Sequence, residues 1–436
     1  MNRRLIIGLL VCLVLIVSAL PLLSACGDSA GETTTTTTST TIDKTGKTLK
    51  LGISTPSTGP AAEKGRPLEH GQKDAIEYVN NELGGIDGYQ VEIVWRDNGY
   101  NAASMSNIVR AFMDEGCLMF STSSSAMMTA AMGLANQYEF PGLAAFSSPN
   151  LYRPPQHIYG QLPDYGDDFL AFMQYFLATW EGTGKPKVAI MALANSTGQG
   201  AVDAAHAYAD QLGIEILWDG AVGKAFQHKA DTLSEMESLT RIKGMNPDVL
   251  YISSTPAPTG LIIKNARALG LDCVIASGHA AFTSALVDIA GDDANDVYGV
   301  FPTVSWGDDV PGMAKLVEYC EKNHPDDAGN GDYITGWAQS LIMVKIVETA
   351  LMNSSYETLA AGDETTWQVV EDEGIKKLSG YDVGGLHGPV SYTEGDNRLC
   401  KSVRVLQIQD GTLTALTDWI DAPVVKYEDY DWYTNK

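Results

Sequence analysis

The chain has 436 residues, with 54 Asp and Glu against 29 Lys and Arg, for a formal charge of −25. So acidic a surface repels phosphate backbones and anionic headgroups, which excludes nucleic acid as a partner and excludes a polybasic membrane patch. The length allows two or three domains with ample core.

The first residues read as an export signal. Arg3 and Arg4 give a positive start and residues 5–20 carry no charge, the layout of a signal peptide over 1–25. The run ends in Leu23-Ser24-Ala25-Cys26-Gly27, which resembles the bacterial lipobox, whose cysteine is diacylated after cleavage. Cys26 is therefore the expected lipid attachment point, which would hold the protein on the outer side of a membrane, at the cell surface or on the periplasmic side. An uncleaved anchor is the competing reading, since extension through Ala25 approaches the roughly 20 residues that span a bilayer. Small residues before Cys26 favour cleavage. Residues 26–47, with six threonines at 33–38, have almost nothing to bury and read as a tether reaching about 25 Å as a flexible coil.

From Thr48 onward short apolar runs alternate with one-face helical periodicity. Strands are predicted at 49–53 and 90–96, separated by a Gly/Pro loop at 56–65 and a helix over 67–83 carrying Ala75, Ile76, Val79 and Leu83 on one face. Helices at 103–115 and 127–138 alternate with strands at 117–120 and 142–146. A similar unit recurs with strand 188–193, loop 194–198, a helix bearing Val202, Ala205, Ala209 and Leu212 on one face, and strand 214–218. Strand 249–253, helix 260–269 and strand 273–276 follow. The fold class is α/β, with two Rossmann-like lobes of parallel sheet covered on both faces. Open sheets of this kind bind ligands outside the carboxyl ends of their strands, so two facing edges make a cleft.

Four cysteines remain beyond Cys26. Cys117 and Cys273 sit in apolar contexts and read as buried thiols, while Cys320 and Cys400 are open either to pairing or to staying free.

Several landmarks recur in order: Gly59-Pro60 with Gly65, Gly84-Gly85-Ile86, Asp97, Ser123-Ser124-Ser125, Pro141, Ser147-Ser148-Pro149, Gly198-Gln199-Gly200, and Gly388-Pro389-Val390-Ser391-Tyr392 with Gly395-Asp396. Their order and spacing over 49–409 resemble the periplasmic leucine/isoleucine/valine-binding proteins, type I solute receptors of ABC importers. The resemblance implies a periplasmic binding protein of type I with a three-crossover hinge, near 161–164, 301–303 and 397–402. Lobe 1 would hold 48–163 and 302–398, and lobe 2 would hold 164–301 and 399–436. It further implies a small-molecule solute and an ABC transporter permease as partners; a monomer is expected.

By the same resemblance Ser125, with Ser124 beside it, holds a ligand carboxylate. The Phe146 carbonyl and the Ser148 hydroxyl grip the amino-acid head, with Ser147 replacing Ser148 if the missing residue before Leu151 shifts the count. On residue type alone, the serine run is equally a helix cap and Ser147-Ser148-Pro149 an ordinary turn. In the second lobe the sequence departs from the pattern. Thr197 and Thr255 stand where leucine-binding relatives have tyrosines, and His279 stands where they have a glutamate for the ligand ammonium. A neutral imidazole accepts one hydrogen bond but offers no full charge. The ligand is therefore expected either not to be an ordinary aliphatic amino acid, or to meet another carboxylate supplied by the second lobe. A lone histidine after Gly278 also reads as a structural loop residue. Lys64 and Trp337 are further pocket candidates, although a helical tryptophan is more often core.

Enzyme motifs are missing from the sequence. Gly182-Thr183-Gly184-Lys185 lacks the glycine and hydroxyl residue that a phosphate loop needs at 179 and 186, and Gly198-Gln199-Gly200 meets Asp203 where a dinucleotide fingerprint needs its third glycine. There is no HExxH helix or GxSxG elbow, and the seven histidines show no metal-ligand spacing. No catalytic residue, metal or cofactor is expected. The competing readings are a ligand-sensing receptor on the same fold, taking an amide, urea-like or organic-acid ligand, and a cleft hydrolase.

Overall fold

The computed structural model describes residues 43–434. The signal-peptide reading, Cys26 and nearly all of the tether lie outside those residues.

The first sheet is wholly parallel: β1 (Thr48–Thr55), β2 (Gln90–Asp97), β3 (Phe120–Thr122), β4 (Gly142–Ala144) and β5 (Ile158–Gly160), in the order β2-β1-β3-β4-β5. Its helices are α1 (Ala62–Glu82), α2 (Met105–Asp114) and α3 (Ser125–Gln137). Leu51 to Thr55 of β1 are all buried, on alternating faces, as expected of a strand covered on both faces. The second sheet contains β6 (Lys187–Leu193), β7 (Glu215–Leu217), β8 (Phe226–His228), β9 (Val249–Ser253), β10 (Val274–Ser277), β11 (Tyr298–Phe301), β12 (Ser402–Gln409), β13 (Thr412–Ala415) and β14 (Ile420–Asp421). Its order is β13-β12-β11-β10-β9-β6-β7, with β14 on β12 and β8 on β6. Helices α4 (Tyr165–Thr179), α5 (Ser196–Leu212), α6 (Met236–Gly244), α7 (Pro256–Ala268) and α8 (Ser284–Ala290) belong to this half. After β11 the chain returns to the first half as α9 (Met313–Asn323) and α10 (Gly331–Met352).

Local chemistry sets the helix starts. Asp164 accepts from the Gly166 and Asp167 N–H groups while the Asp167 side chain accepts from the Asp164 N–H, a capping box that starts α4. Asn195 caps α5 in the same way, and Gly213 closes it at φ 71°. Helix α1 begins five residues before the predicted position and carries Pro67 inside it. That proline is the sixth residue of the helix, so the bond its N–H would give to the Glu63 carbonyl is absent.

Helices α1 and α10 touch through glycine. A Cβ on Gly71 would lie 2.2 Å from the Tyr333 carbonyl oxygen, and one on Gly336 would lie 2.0 Å from that of Leu68. The two backbones meet at a distance no side chain permits.

The first and third passages between the sheets carry buried charge. Arg398 bridges Asp167 and Asp396, with its second bond at 2.8 Å, and Arg153 lies 3.6 Å from Asp396. Burial would raise the Asp396 carboxyl, but the hydrogen bonds and charge of Arg398 outweigh it and hold it well below the usual carboxylate range. Asp164 goes the other way, pushed up to about 7 by burial and by Asp167 beside it.

All four cysteines beyond Cys26 are free thiols. Cys320 and Cys400 do not pair: Cys320 donates to the His324 carbonyl within the core of the first half, and Cys400 faces Ser402 beside β12.

Candidate functional site

Four helices begin around one small cavity of about 90 Å³ between the two sheets. Ala61, Ser124, Asn195 and Thr255 are the cap residues of α1, α3, α5 and α7. Ser124 and Thr255 make no capping hydrogen bond with their own side chains. The first-turn N–H groups of α3 therefore lack a side-chain acceptor from their cap, whereas α7 offers only that of Ala257, since Pro256 and Pro258 carry none; the helix starts add a partial positive charge. Among the described residues no Asp or Glu lines this cavity, whereas Lys64 does. Such a chamber suits an anionic group.

Ser124, Ser125, Phe146, Thr197 and Thr255 all line it, from both sides of the cleft. Ser125 Oγ lies 3.3 Å from Ser196 Oγ, so the first turns of α3 and α5 meet across the cleft. The Tyr165 hydroxyl stands against those of Ser125 and Thr197.

A second cavity of about 390 Å³ continues from the first and shares Lys64 and Phe146 with it. Most of its wall area is apolar, from residues such as Phe301, Val304 and Trp306, and its polar side chains include Glu63, Lys64, His279, Asn330 and Asp332. Lys64 pairs with Asp332 at 3.2 Å and lies 5.1 Å from the centre of the Phe146 ring.

His279 lines this larger cavity and is 3 % exposed. Its ring centre is 5.6 Å from that of Phe146 and 5.2 Å from that of Tyr165. Behind it stands Asp168, wholly buried on α4. Asp168 Oδ2 accepts the His279 backbone N–H at 2.9 Å and lies 2.8 Å from Nδ1. The carboxylate is thus placed behind the imidazole and away from the cavity. Gly278 makes room for it, since a Cβ there would stand 2.8 Å from Asp168 Oδ2.

The remaining candidates lie elsewhere. Ser147 is fully buried and lines neither cavity; its carbonyl accepts the Tyr165 N–H at 3.2 Å. Ser148 gives its hydroxyl to Asn150 and borders a separate hollow with Asn195 and Arg153. The chain turns into a short 3-10 helix at Pro149–Leu151, directly after the two serines, and neither serine lines the two cavities above. Trp337 is core, 1 % exposed among Tyr78 and Tyr319. Tyr165 and Asp168 were not singled out from sequence. Their signal was the Asp164 to Asp167 cap, which marks a helix start immediately after the first passage between sheets.

No curated protein matches the chain by sequence. Among solved structures it resembles a branched-chain amino acid ABC transporter protein from Thermus thermophilus with bound valine, with TM-score 0.75 and 19 % identity, over 88 % of this chain and 99 % of that one. It also resembles a fatty acid ABC transporter substrate-binding protein from Thermomonospora curvata, with TM-score 0.70 and 19 % identity, over 88 % and 94 %. A leucine-binding protein from Thermotoga maritima is similar at TM-score 0.69 and 18 % identity, over 86 % and 99 %. These likenesses show the two-lobed fold. The model of the periplasmic binding protein family matches residues 48–412, most of the length, and this chain belongs to that family.

Proposed function

We propose that the protein is the solute-binding lipoprotein of a branched-chain-amino-acid-type ABC importer, lipidated at Cys26, and that it works as a monomer without turning its ligand over. Its lobes are 48–163 with 302–398, and 164–301 with 399–436. They close on an amino-acid-like or related polar solute and present it to the permease.

The observation that carries this reading is the uncapped start of α3, with the hydroxyls of Ser125, Thr197 and Thr255, on a chamber that no Asp or Glu lines among the described residues, beside a larger and mainly apolar cavity. An anionic head enters the chamber, held by Ser124, Ser125, Thr197 and Thr255, and the apolar body lies beyond Phe146. The ligand donor group meets His279, and Asp168, a carboxylate of the second lobe 2.8 Å behind Nδ1, acts on it through the ring by its charge.

Binding must favour the closed form differentially, because a ligand held equally by both forms shifts nothing. Calorimetry with 2-amino, 2-hydroxy and unsubstituted branched carboxylates, paired with small-angle scattering, tests this. One-to-one binding with contraction of the particle is expected. Turnover of any of these compounds, or binding without contraction, contradicts it.

A further inference from the structure

His70, in the middle of α1, lies against two residues that follow α9: His324, which ends that helix, and Asp327, in the short turn Pro325–Asp327. Their donor atoms all lie within 4.8 Å of one another. The two imidazoles stack with ring centres 3.7 Å apart and planes 3° from parallel, and His70 Nδ1 is 2.6 Å from Asp327 Oδ2. All three side chains are partly exposed, at 28 %, 28 % and 15 % for His70, His324 and Asp327, so an ion can reach them and they can adjust. Around a tetrahedral zinc ion donors stand about 3.4 Å apart, and because an imidazole holds a metal in its own ring plane, one of the two rings must turn out of the stack to bring its nitrogen to the ion.

The surroundings suit ligation. His324 turns Nε2 towards Asp74 Oδ1 at 3.7 Å, beyond hydrogen-bond reach, and a turn of the ring would bring that carboxylate to where it orients a ligating imidazole through its other nitrogen. Asp74 is itself held by the Tyr333 hydroxyl at 2.6 Å and the Asn323 amide at 2.8 Å. We propose that His70, His324 and Asp327 bind one divalent transition-metal ion of the zinc class, with solvent as the fourth ligand. Two nitrogens and one oxygen select zinc, cobalt or nickel over calcium and magnesium, which take oxygen donors.

The ion clips the link between α9 and α10 to α1. That link runs directly into Gly329 to Asp332, which line the larger cavity. On α1, Lys64 of the same cavity stands six residues before His70, about 9 Å along the helix. Metal binding therefore braces one wall of the cleft, and the site stands whether or not the cleft takes the solute proposed above.

The test is titration of the full chain, stripped with a chelator, with Zn²⁺ by calorimetry and with Co²⁺ by visible absorption. One equivalent is expected at micromolar affinity, with the ligand-field bands of four-coordinate cobalt. His70→Gln and His324→Gln should each weaken binding about tenfold or more, with an unchanged circular dichroism spectrum. X-ray absorption of the wild-type zinc complex should show two imidazole ligands, a readout that needs no variant to fold. Binding no tighter than millimolar, binding undiminished in both variants, or an all-oxygen shell overturns the proposal.

Discussion

At the scale of single residues, the identities of the cleft wall were legible because helix starts are written in local sequence. Ser124, Ser125, Thr197 and Thr255 fall where a strand gives way to a helix, and the structure gathers all four around one chamber. Asp168 was not legible: 111 positions separate it from His279, and only the packing of α4 against the loop after β10 joins them. Ser148 stands apart from that chamber, in a hollow it shares with Arg153 and Asn195. Ser125→Ala is expected to weaken solute binding about fivefold to tenfold, the worth of one hydrogen bond, while Ser148→Ala leaves it unchanged; equal losses in the two variants would remove Ser125 from the site. Asp168→Asn should cost about 1–3 kcal/mol of binding for ligands with an ammonium or hydroxyl beside the carboxylate, and little for the unsubstituted acid. Calorimetry on that ligand pair reads the difference directly, and a uniform loss contradicts a relayed charge.

At the scale of elements, periodicity found the strands and most helices of the two repeated units, and missed by a few residues where hydrogen bonding continues past the apolar pattern. Helix α7 starts at Pro256, four residues before the predicted boundary, because proline is well suited to a first turn. Helix α10 escaped a periodicity reading for another reason. Its first half is buried all round, from Tyr333 to Ser340, so it has no polar stripe there to reveal its period. What identifies it is Gly336 against α1. Replacing Gly336 with Ala should destabilise the protein by about 1–3 kcal/mol in urea unfolding, since the added methyl forces the helices apart. Unaltered stability would show that the two backbones are not in contact.

At the scale of the whole molecule, the repeat of β and α units gave two lobes, but not the way they are joined, because the charges at the passages lie far apart in sequence. Arg398, Asp396, Asp167, Asp164 and Arg153 meet only in the fold. Their titration has a definite sign. Asp164 holds its proton to about pH 7 in the folded chain, whereas an unfolded aspartate releases it near 4. Its contribution to stability is whole below about pH 4 and is lost as pH rises to about 7. Asparagine also caps a helix, so Asp164→Asn should match the wild type at low pH and exceed it by up to a few kcal/mol above pH 7. Parallel stability curves for the two proteins would contradict the buried protonated carboxyl.

The central claim is that the cleft between the lobes captures one small solute. Native mass spectrometry of the wild-type chain and a Ser125→Ala/His279→Ala variant, each exposed to one pool of amino acids, hydroxy acids and unsubstituted carboxylates, tests it most directly. A single adduct, one molecule per chain, is expected on the wild type and not on the variant. No adduct on the wild type, or the same adduct on both, would contradict the account.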